Sequence, residues 1–113
     1  MTRGAVVLTP FPFTDLSGRK VRPAVVISRS DRSGSDVVLA FITSYHGGNI
    51  TSADLLVKQD DPDFRLTGLK TDSVLKCDKL VTVDASILLG ELGALSDALI
   101  NEMDRKLRYA LDL

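Results

Sequence analysis

The chain has 113 residues, of which 44% are hydrophobic and 26% charged, and its formal net charge is −1. These values are typical of one folded domain with one hydrophobic core, so we expect a single domain spanning residues 1–113. One cysteine, Cys77, and one histidine, His46, exclude an intrachain disulfide and a zinc site of several Cys and His ligands.

The sequence also carries no sign of a targeting signal or of a cofactor. Its first ten residues lack the charged, apolar and small-residue order of a signal peptide, and no apolar stretch approaches the roughly 20 residues of a membrane helix. No D-x-D-x-D cluster argues for magnesium. We therefore expect a cytoplasmic protein without a metal or other cofactor.

Charge is unevenly distributed along the chain. Residues 1–35 contain six basic and two acidic side chains, whereas residues 36–113 contain eight basic and thirteen acidic ones. This asymmetry fits a basic face on a nearly neutral protein, but halves of a sequence need not be halves in space. The two interpretations are about equally weighted on charge alone.

Three apolar runs in the first half predict strands of a sheet. They cover Ala5–Leu8, Ala24–Ser28 and Asp36–Thr43, and the third is apolar nearly throughout, which places it near the centre. Between the first two, Pro10–Phe13 should not continue a central strand because each proline removes a backbone donor. Residues 14–20 then form a polar loop.

The second half predicts further strands and a closing helix. A weaker strand is expected at Ala53–Val57, one or two strands within Ser73–Val83, and a helical turn in Ala85–Leu89. Ser96 is a suitable N-cap for a helix. Apolar residues then recur at helical spacing, namely Leu99, Ile100, Met103, Leu107 and Leu111. The chain is therefore mainly β, with five or more short strands and a C-terminal helix.

Two positions are candidates for chemistry on the basis of residue type. Arg22 precedes the second strand, where the ladder would hold a guanidinium fork that suits phosphate. Thr43 and Ser44 place two hydroxyls where the third strand opens into a loop, a common location for sites. From spacing alone, an ordinary surface arginine and an ordinary strand end are the favoured interpretations.

Four blocks in order resemble the MazF/PemK-type toxins of bacterial type II toxin–antitoxin systems. They are G-x-V-V-L from Gly4, then P-F-P-F-T-D-L-S-G-R-K-x-R-P-A-V-V-I-S from Pro10, I-T-S ending at Ser44, and a late block. The late block has G-L at residues 68–69, D-S-V-L-K-C-D at 72–78 and T-V-D at 82–84. The resemblance covers almost the whole chain.

The resemblance implies an SH3-like barrel of the CcdB/MazF type with a C-terminal α-helix. It implies a metal-independent, sequence-specific endoribonuclease that cleaves single-stranded RNA, mainly mRNA. In this reaction the 2′-hydroxyl attacks the adjacent phosphorus, giving a cyclic phosphate and a 5′-hydroxyl. It further implies a homodimer, a cognate antitoxin that covers the sites, and contact with operator DNA through that antitoxin.

The same resemblance assigns roles to individual residues. Arg22 would stabilise the phosphorane and assist the leaving group, and Thr43 would bond the phosphate. Asp78 matches an acidic position that some members use in catalysis. Contacts with RNA are expected from Arg19, Lys20, Ser44 and Lys76.

The proton acceptor stays open between Asp78, His46 and another group. Lys76 and Asp78 are two residues apart, which puts both side chains on one face if this stretch is a strand. His46 lies close to Thr43 in sequence, and histidine is suited to proton transfer near neutral pH. A solvated loop histidine is nevertheless the favoured interpretation of His46.

Two functions of other classes compete with RNA cleavage. CcdB-type toxins share the fold and bind DNA gyrase without catalysis, and they depend on their C-terminal residues, whereas this chain keeps the Arg-Pro and Thr blocks. An SH3-like peptide-binding module would need clustered aromatic residues, and the chain has no tryptophan. The sequence therefore favours the endoribonuclease, with gyrase binding as the alternative.

Overall fold

A computed structural model describes residues 1–10 and 20–113 of the protein. Within them the chain forms six strands and one α-helix. The strands are β1 (Ala5–Pro10), β2 (Val21–Val26), β3 (Asp36–Ser44), β4 (Asp54–Val57), β5 (Ser73–Asp84) and β6 (Gly90–Ala94), and the helix is α1 (Asp97–Leu111). Short 3₁₀ turns at Phe64–Thr67 and Ala85–Ile87 precede β5 and β6 respectively. The prediction of a mainly β chain with a C-terminal helix is confirmed.

In the described part of the chain, the strands form one antiparallel sheet in the order β4-β5-β3-β2-β1-β6. Because β3 pairs with β2 on one side and β5 on the other, the predicted central position of this strand is confirmed. Its almost continuous apolar sequence follows from this position, since both of its faces contact a core.

The bounds of the first two strands differ from the prediction. Pro10 is the last residue of β1, where it pairs with Val21, so the strand ends two residues later than predicted, and β2 both begins and ends earlier than predicted. Strand β2 begins at Val21, and Arg22 is the cross-strand partner of Thr9. Arg22 is therefore part of the ladder rather than a residue in front of it, and the ladder fixes its backbone.

Strand β5 is one long strand interrupted by a bulge. Its pairing with β3 passes from Ala40–Leu80 directly to Phe41–Lys76, so residues 77–79 have no partner on β3. Such an insertion bends a strand and increases its twist. The bend divides β5 into one half beside β4 and another that runs along the first half of β3.

Strand β6 and the 3₁₀ turn at Phe64–Thr67 were not predicted from the sequence. The sequence of β6, GELGA, contains two glycines and no β-branched residue, so its local β propensity is low. The strand forms because β1 offers an edge with which it pairs from Ala5 to Leu8. Tertiary pairing therefore overrides local preference here.

Helix α1 packs on one face of the sheet. Ser96 caps it as predicted, and its Oγ accepts a hydrogen bond from the Leu99 backbone N–H at 3.2 Å. The apolar core on this face joins Leu99, Met103 and Leu107 to residues of every strand except β6; those strand residues are Val6, Val25, Ala40, Ile42, Leu55, Val57, Leu75 and Cys77. Leu111, also predicted to face the core, is 50% exposed. No helix in the described residues is long and apolar enough to cross a membrane.

A second apolar core lies on the opposite face of the first three strands. It contains Ala5, Val7, Ala24, Val26, Val37, Leu39 and Phe41, against which Val81, Val83, Ala85 and Leu88 pack. The second half of β5 and the segment after it thus cover this face, so the sheet curls around the second core. Because Phe41 belongs to this core, the end of β3 lies at its margin.

Candidate functional site

Arg22 and Thr43 lie at the same end of neighbouring antiparallel strands. The pairing of β2 with β3 includes Ala24 with Phe41, and continuing this register by two residues sets Arg22 across from Thr43. Residues two apart on a strand share a face, so both project on the side of the second core. Both are exposed, and both line two cavities that share this strand end.

The first cavity, of about 290 Å³, is lined by both apolar and polar residues. Leu8, Pro23, Ile42, Leu69 and Leu92 contribute the apolar residues, and Ser44, Lys70, Thr71 and Ser73 contribute hydroxyl and ammonium groups beside Arg22 and Thr43. This composition suits a ligand that is flat and apolar in one part and anionic in another. A nucleotide has both parts.

The segment 68–73 forms a wall of the first cavity and is fixed at several points. Asp72 accepts a hydrogen bond from the Gln59 backbone N–H at 2.7 Å, and the Gln59 side chain donates to the Lys70 carbonyl at 3.1 Å. Gly68 has φ +73°, and a Cβ there would overlap the carbonyl oxygen of Leu92. The wall therefore follows β6 more closely than a chain with a side chain at position 68 could.

The second cavity, of about 320 Å³, brings His46 to the same strand end. It is lined by Arg22, Phe41, Ile42, Thr43, Ser44 and His46. His46 is exposed, as the interpretation of a solvated loop residue requires, but it also forms part of the cavity wall. The closeness of His46 to Thr43 in sequence was the signal for this arrangement.

Asp78 does not line either of these cavities. It is an exposed residue in the β5 bulge, which lies between the residues that pair with Ala40 and Phe41 of β3. The residue of β5 that pairs with Thr43 is Val74, four positions before Asp78. The bulge also breaks the simple alternation on which the predicted common face of Lys76 and Asp78 depended. The catalytic role of Asp78 stays a prediction.

Lys76 is held by a buried carboxylate. Its Nζ lies 2.9 Å from Oδ1 of Asp54, whose side chain is 2% exposed, and Asp54 Oδ2 accepts a hydrogen bond from the Thr51 backbone N–H at 2.9 Å. Burial raises the pKa of Asp54, but the hydrogen bonds from Thr51 and the positive charge of the Lys76 ammonium together outweigh it, so the net pKa lies below its usual value. The predicted contact of Lys76 with RNA stays a prediction, and its ammonium already has this ion partner.

Cys77 is fully buried beside this ion pair, as expected of a structural cysteine. Burial, and then the negative charges of Asp54 and Asp78, raise the pKa of the thiol to about 11. The thiol is therefore protonated at neutral pH and is a poor nucleophile. Cys77 contributes packing to the first core and has no part in the candidate site.

Lys20 and Arg19 are the remaining two candidates for contact with RNA. Lys20 is exposed one residue before β2, two positions from Arg22. Arg19 lies outside the described residues. Among the residues that are described, no three His, Cys, Asp or Glu side chains form a group suited to a metal ion.

Sequence reasoning missed the wall formed by Leu69, Lys70 and Thr71. The Gly-Leu pair at 68–69 belongs to the late block of the resemblance, but neither residue type nor spacing linked it to Arg22. The link is tertiary, since the wall meets the site through the pairing of β5 with β3.

Comparison with solved structures places the fold. The chain is similar to an endoribonuclease in complex with its cognate antitoxin from a mycobacterial species, at 23% identity and TM-score 0.74, over 100% of this chain and 96% of the other. The chain is also similar to the Mycobacterium tuberculosis toxin MazF-mt6, at 21% identity and TM-score 0.75, over 96% of this chain and 97% of the other. A MazE–MazF structure from Deinococcus radiodurans is similar at 23% identity and TM-score 0.73, over 100% of this chain and 97% of the other.

These likenesses confirm the predicted MazF-type fold. No curated protein matches the chain significantly. The profile of a toxin family, described as the PemK-like, MazF-like toxin of type II toxin–antitoxin systems, matches residues 2–111. Because this match spans nearly the whole sequence, the chain belongs to the family of PemK-like, MazF-like toxins of type II toxin–antitoxin systems.

Proposed function

We propose that this toxin is a metal-independent endoribonuclease that cleaves single-stranded RNA at specific sequences. The observation that carries the proposal is that Arg22 and Thr43, from adjacent strands, line the same two cavities. The similar solved structures include proteins named as endoribonucleases, which supports the same activity for this chain.

The proposed reaction uses the substrate's own 2′-hydroxyl as nucleophile. Its oxygen bonds to the adjacent phosphorus, the bond from phosphorus to the 5′-oxygen breaks, and a 2′,3′-cyclic phosphate and a 5′-hydroxyl result. No activated serine or cysteine is required, which agrees with the buried, protonated thiol of Cys77. DNA lacks the nucleophile and is not cut.

Arg22 and Thr43 stabilise the charge that develops on the phosphorane. A guanidinium carries several N–H donors in a fixed fork, so Arg22 can contact a phosphate oxygen and the leaving oxygen together. The Thr43 hydroxyl donates to another phosphate oxygen. Donors aimed at a developing negative charge each contribute about 10²–10³-fold to the rate.

Further RNA contacts extend from this centre. We assign phosphate contacts to Lys20 and Ser44, and we retain Arg19 and Lys76 as RNA-binding candidates from the family resemblance. The apolar walls of the first cavity suit the face of a nucleobase. Asp78 is retained as a candidate catalytic residue on the same resemblance.

The proposed biological setting follows the family. The chain acts in the cytoplasm as a single toxin domain over residues 1–113, forms a homodimer and is inhibited by a cognate antitoxin. The antitoxin brings the toxin to operator DNA. Complexes of similar toxins with antitoxins support this partner.

The test is cleavage of several long single-stranded RNAs of different sequence by purified protein in EDTA. We expect products with cyclic phosphate and 5′-hydroxyl ends, and a fall of about 10²–10³-fold for Arg22→Ala and for Thr43→Ala. Matched controls are Arg105→Ala, on the outer face of α1, and Thr82→Ala, on the far half of β5, and both should cleave at the wild-type rate.

Two results would overturn the proposal. One is the absence of cleavage in every RNA by a protein that inhibits DNA gyrase, which would favour the CcdB-like alternative. The other is cleavage that requires a divalent cation.

A further inference from the structure

We propose that His46 is the general base of this site, and that it accepts the proton of the attacking 2′-hydroxyl. The inference rests on the proposed RNA cleavage and assigns the proton acceptor that the sequence left open between Asp78, His46 and another group. It starts from the position of His46 in the wall that also contains Arg22 and Thr43.

The chemistry of the cavity walls selects His46 among the described residues. Arg22 and Lys70 are the charged residues of the two walls, both are cations, and neither accepts a hydrogen bond in its protonated form. The hydroxyls of Thr43 and Ser44 are weak bases. No carboxylate of the described residues lines either cavity. Among the described residues of these walls, the imidazole of His46 is therefore the side chain of a type that commonly serves as a general base.

Asp78, the competing candidate, lies farther from this strand end in the register of β5 with β3. It lies in the β5 bulge beside the level of Ala40 and Phe41 and lines neither cavity, whereas His46 follows Thr43 by three residues around the strand end. A general base must come within hydrogen-bond reach of the proton that it removes. His46 meets this requirement for a phosphate bound at Arg22 and Thr43 better than Asp78 does.

The turn that carries His46 is fixed on both sides. The Tyr45 backbone N–H donates to the Asp72 carbonyl at 2.8 Å, and the Tyr45 hydroxyl donates to the Gly48 carbonyl at 3.0 Å. Gly47 and Gly48 both have positive φ, +91° and +102°, a conformation that other residues rarely adopt. A tight turn closed by Tyr45 therefore holds His46 against the strand end.

The imidazole nitrogen of His46 takes the 2′-hydroxyl proton while the 2′-oxygen bonds to phosphorus. The bond between phosphorus and the 5′-oxygen breaks, and that oxygen takes a proton from water. The imidazolium then returns its proton to solvent. Arg22 and Thr43 stabilise the intermediate charge and do not gain or lose protons.

The first experiment compares single-turnover cleavage by wild type, His46→Ala, His46→Gln and Asp78→Asn. We expect a loss of about 10²–10⁴-fold for both His46 variants and a smaller loss for Asp78→Asn. Added imidazole should restore part of the activity of His46→Ala and none of that of Arg22→Ala, because imidazole replaces a proton acceptor but not a guanidinium. Circular dichroism should show all variants folded, since His46 is exposed.

The second experiment separates a base from an acid. In an RNA whose scissile 5′-oxygen is replaced by sulfur, the leaving group needs no protonation. The defect of His46→Ala should persist with this substrate, because removal of the 2′ proton is still required. A wild-type rate for His46→Ala with the sulfur substrate would show that the residue is an acid and would overturn the assignment.

The remaining outcomes are also decisive. If wild type cleaves RNA and Arg22→Ala is impaired while His46→Ala matches wild type, the His46 assignment fails and the proposed function stands. A large loss in Asp78→Asn with no imidazole effect in His46→Ala would transfer the role to Asp78. If wild type cleaves no RNA, the proposed function fails and this step fails with it.

Discussion

The ammonium of Lys76 lies 2.9 Å from Oδ1 of Asp54, a carboxylate that is almost inaccessible to water. The contact is an ion pair rather than a well-aligned hydrogen bond, and among the described residues Oδ1 has no hydrogen-bond partner. The pair joins β4 to β5 at the position where the two strands are in register, because Asp54 and Lys76 are cross-strand partners. A structural role of Lys76 can therefore be measured separately from any contact with RNA.

Lys76→Met should destabilise the protein by about 2–3 kcal/mol. The value lies below the roughly 3–5 kcal/mol typical of breaking a fully buried ion pair. The reason is that the Lys76 side chain is 24% exposed and that Asp54 would still accept its hydrogen bond from Thr51. Urea denaturation measures the change. Lys79→Met, at an exposed position of the same strand, is the control and should alter the free energy of unfolding by less than about 0.5 kcal/mol.

The same ion pair should make the free energy of unfolding depend on pH in acid. The pKa of Asp54 is lower in the folded protein than in the unfolded chain, so the unfolded state binds more protons in the interval between the two values. The contribution of Asp54 is thus complete above the unfolded pKa of about 3.9 and is lost as the pH falls through the folded pKa. Asp54→Asn should be less stable at neutral pH and lose less stability on acidification, as shown by denaturant titrations at several pH values. An unchanged acid slope in Asp54→Asn would contradict this account.

Cys77 should resist thiol reagents in the native protein. Its sulfur is buried, and a pKa of about 11 leaves almost no thiolate at neutral pH. We expect labelling by a chromogenic disulfide to be slow in buffer and fast in urea. Ser33→Cys provides the control, because residue 33 is exposed and its thiol should react at once in the native state. Rapid reaction of Cys77 in buffer would exclude the buried position.

Gly68→Ala should destabilise the wall of the first cavity. The substitution combines a positive φ, which costs roughly 1–2 kcal/mol, with an overlap between the new Cβ and the Leu92 carbonyl. Gly34→Ala separates these effects, because Gly34 has φ +88° and open space where its Cβ would lie. We therefore expect Gly68→Ala to lower the melting temperature more than Gly34→Ala does. Equal shifts for the two variants would show that the steric overlap is relieved without cost.

The sequence predicted the strands and the helix correctly where buried residues recur at a regular spacing. The apolar run of β3 and the spacing of Leu99, Met103 and Leu107 in α1 reflect cores on defined faces. Strand β6 lacks such a pattern, because its GELGA sequence is paired by β1 and contributes few buried residues. Pairing between distant segments leaves no local signal in a single sequence.

The candidate site was accessible to sequence reasoning only in part. Arg22 and Thr43 were identified by family resemblance, and the register of β2 with β3 explains why residues 21 positions apart serve one site. The bulge after Lys76 has no signature in residue type, so the expected common face of Lys76 and Asp78 did not take it into account. The participation of Lys70 and Thr71 depends on the folding of the wall onto β2 and β3.

The anchoring of the segment 68–73 has a consequence for how the toxin could diversify. Gly68 packs closely against β6, and Asp72 accepts a hydrogen bond from Gln59. The three residues between these two attachment points, Leu69, Lys70 and Thr71, line the cavity. Those three positions can change without moving either attachment point. Exchange of this tripeptide therefore changes the lining of the cavity on an unaltered scaffold, and a library of such exchanges is a direct way to vary what the cavity binds.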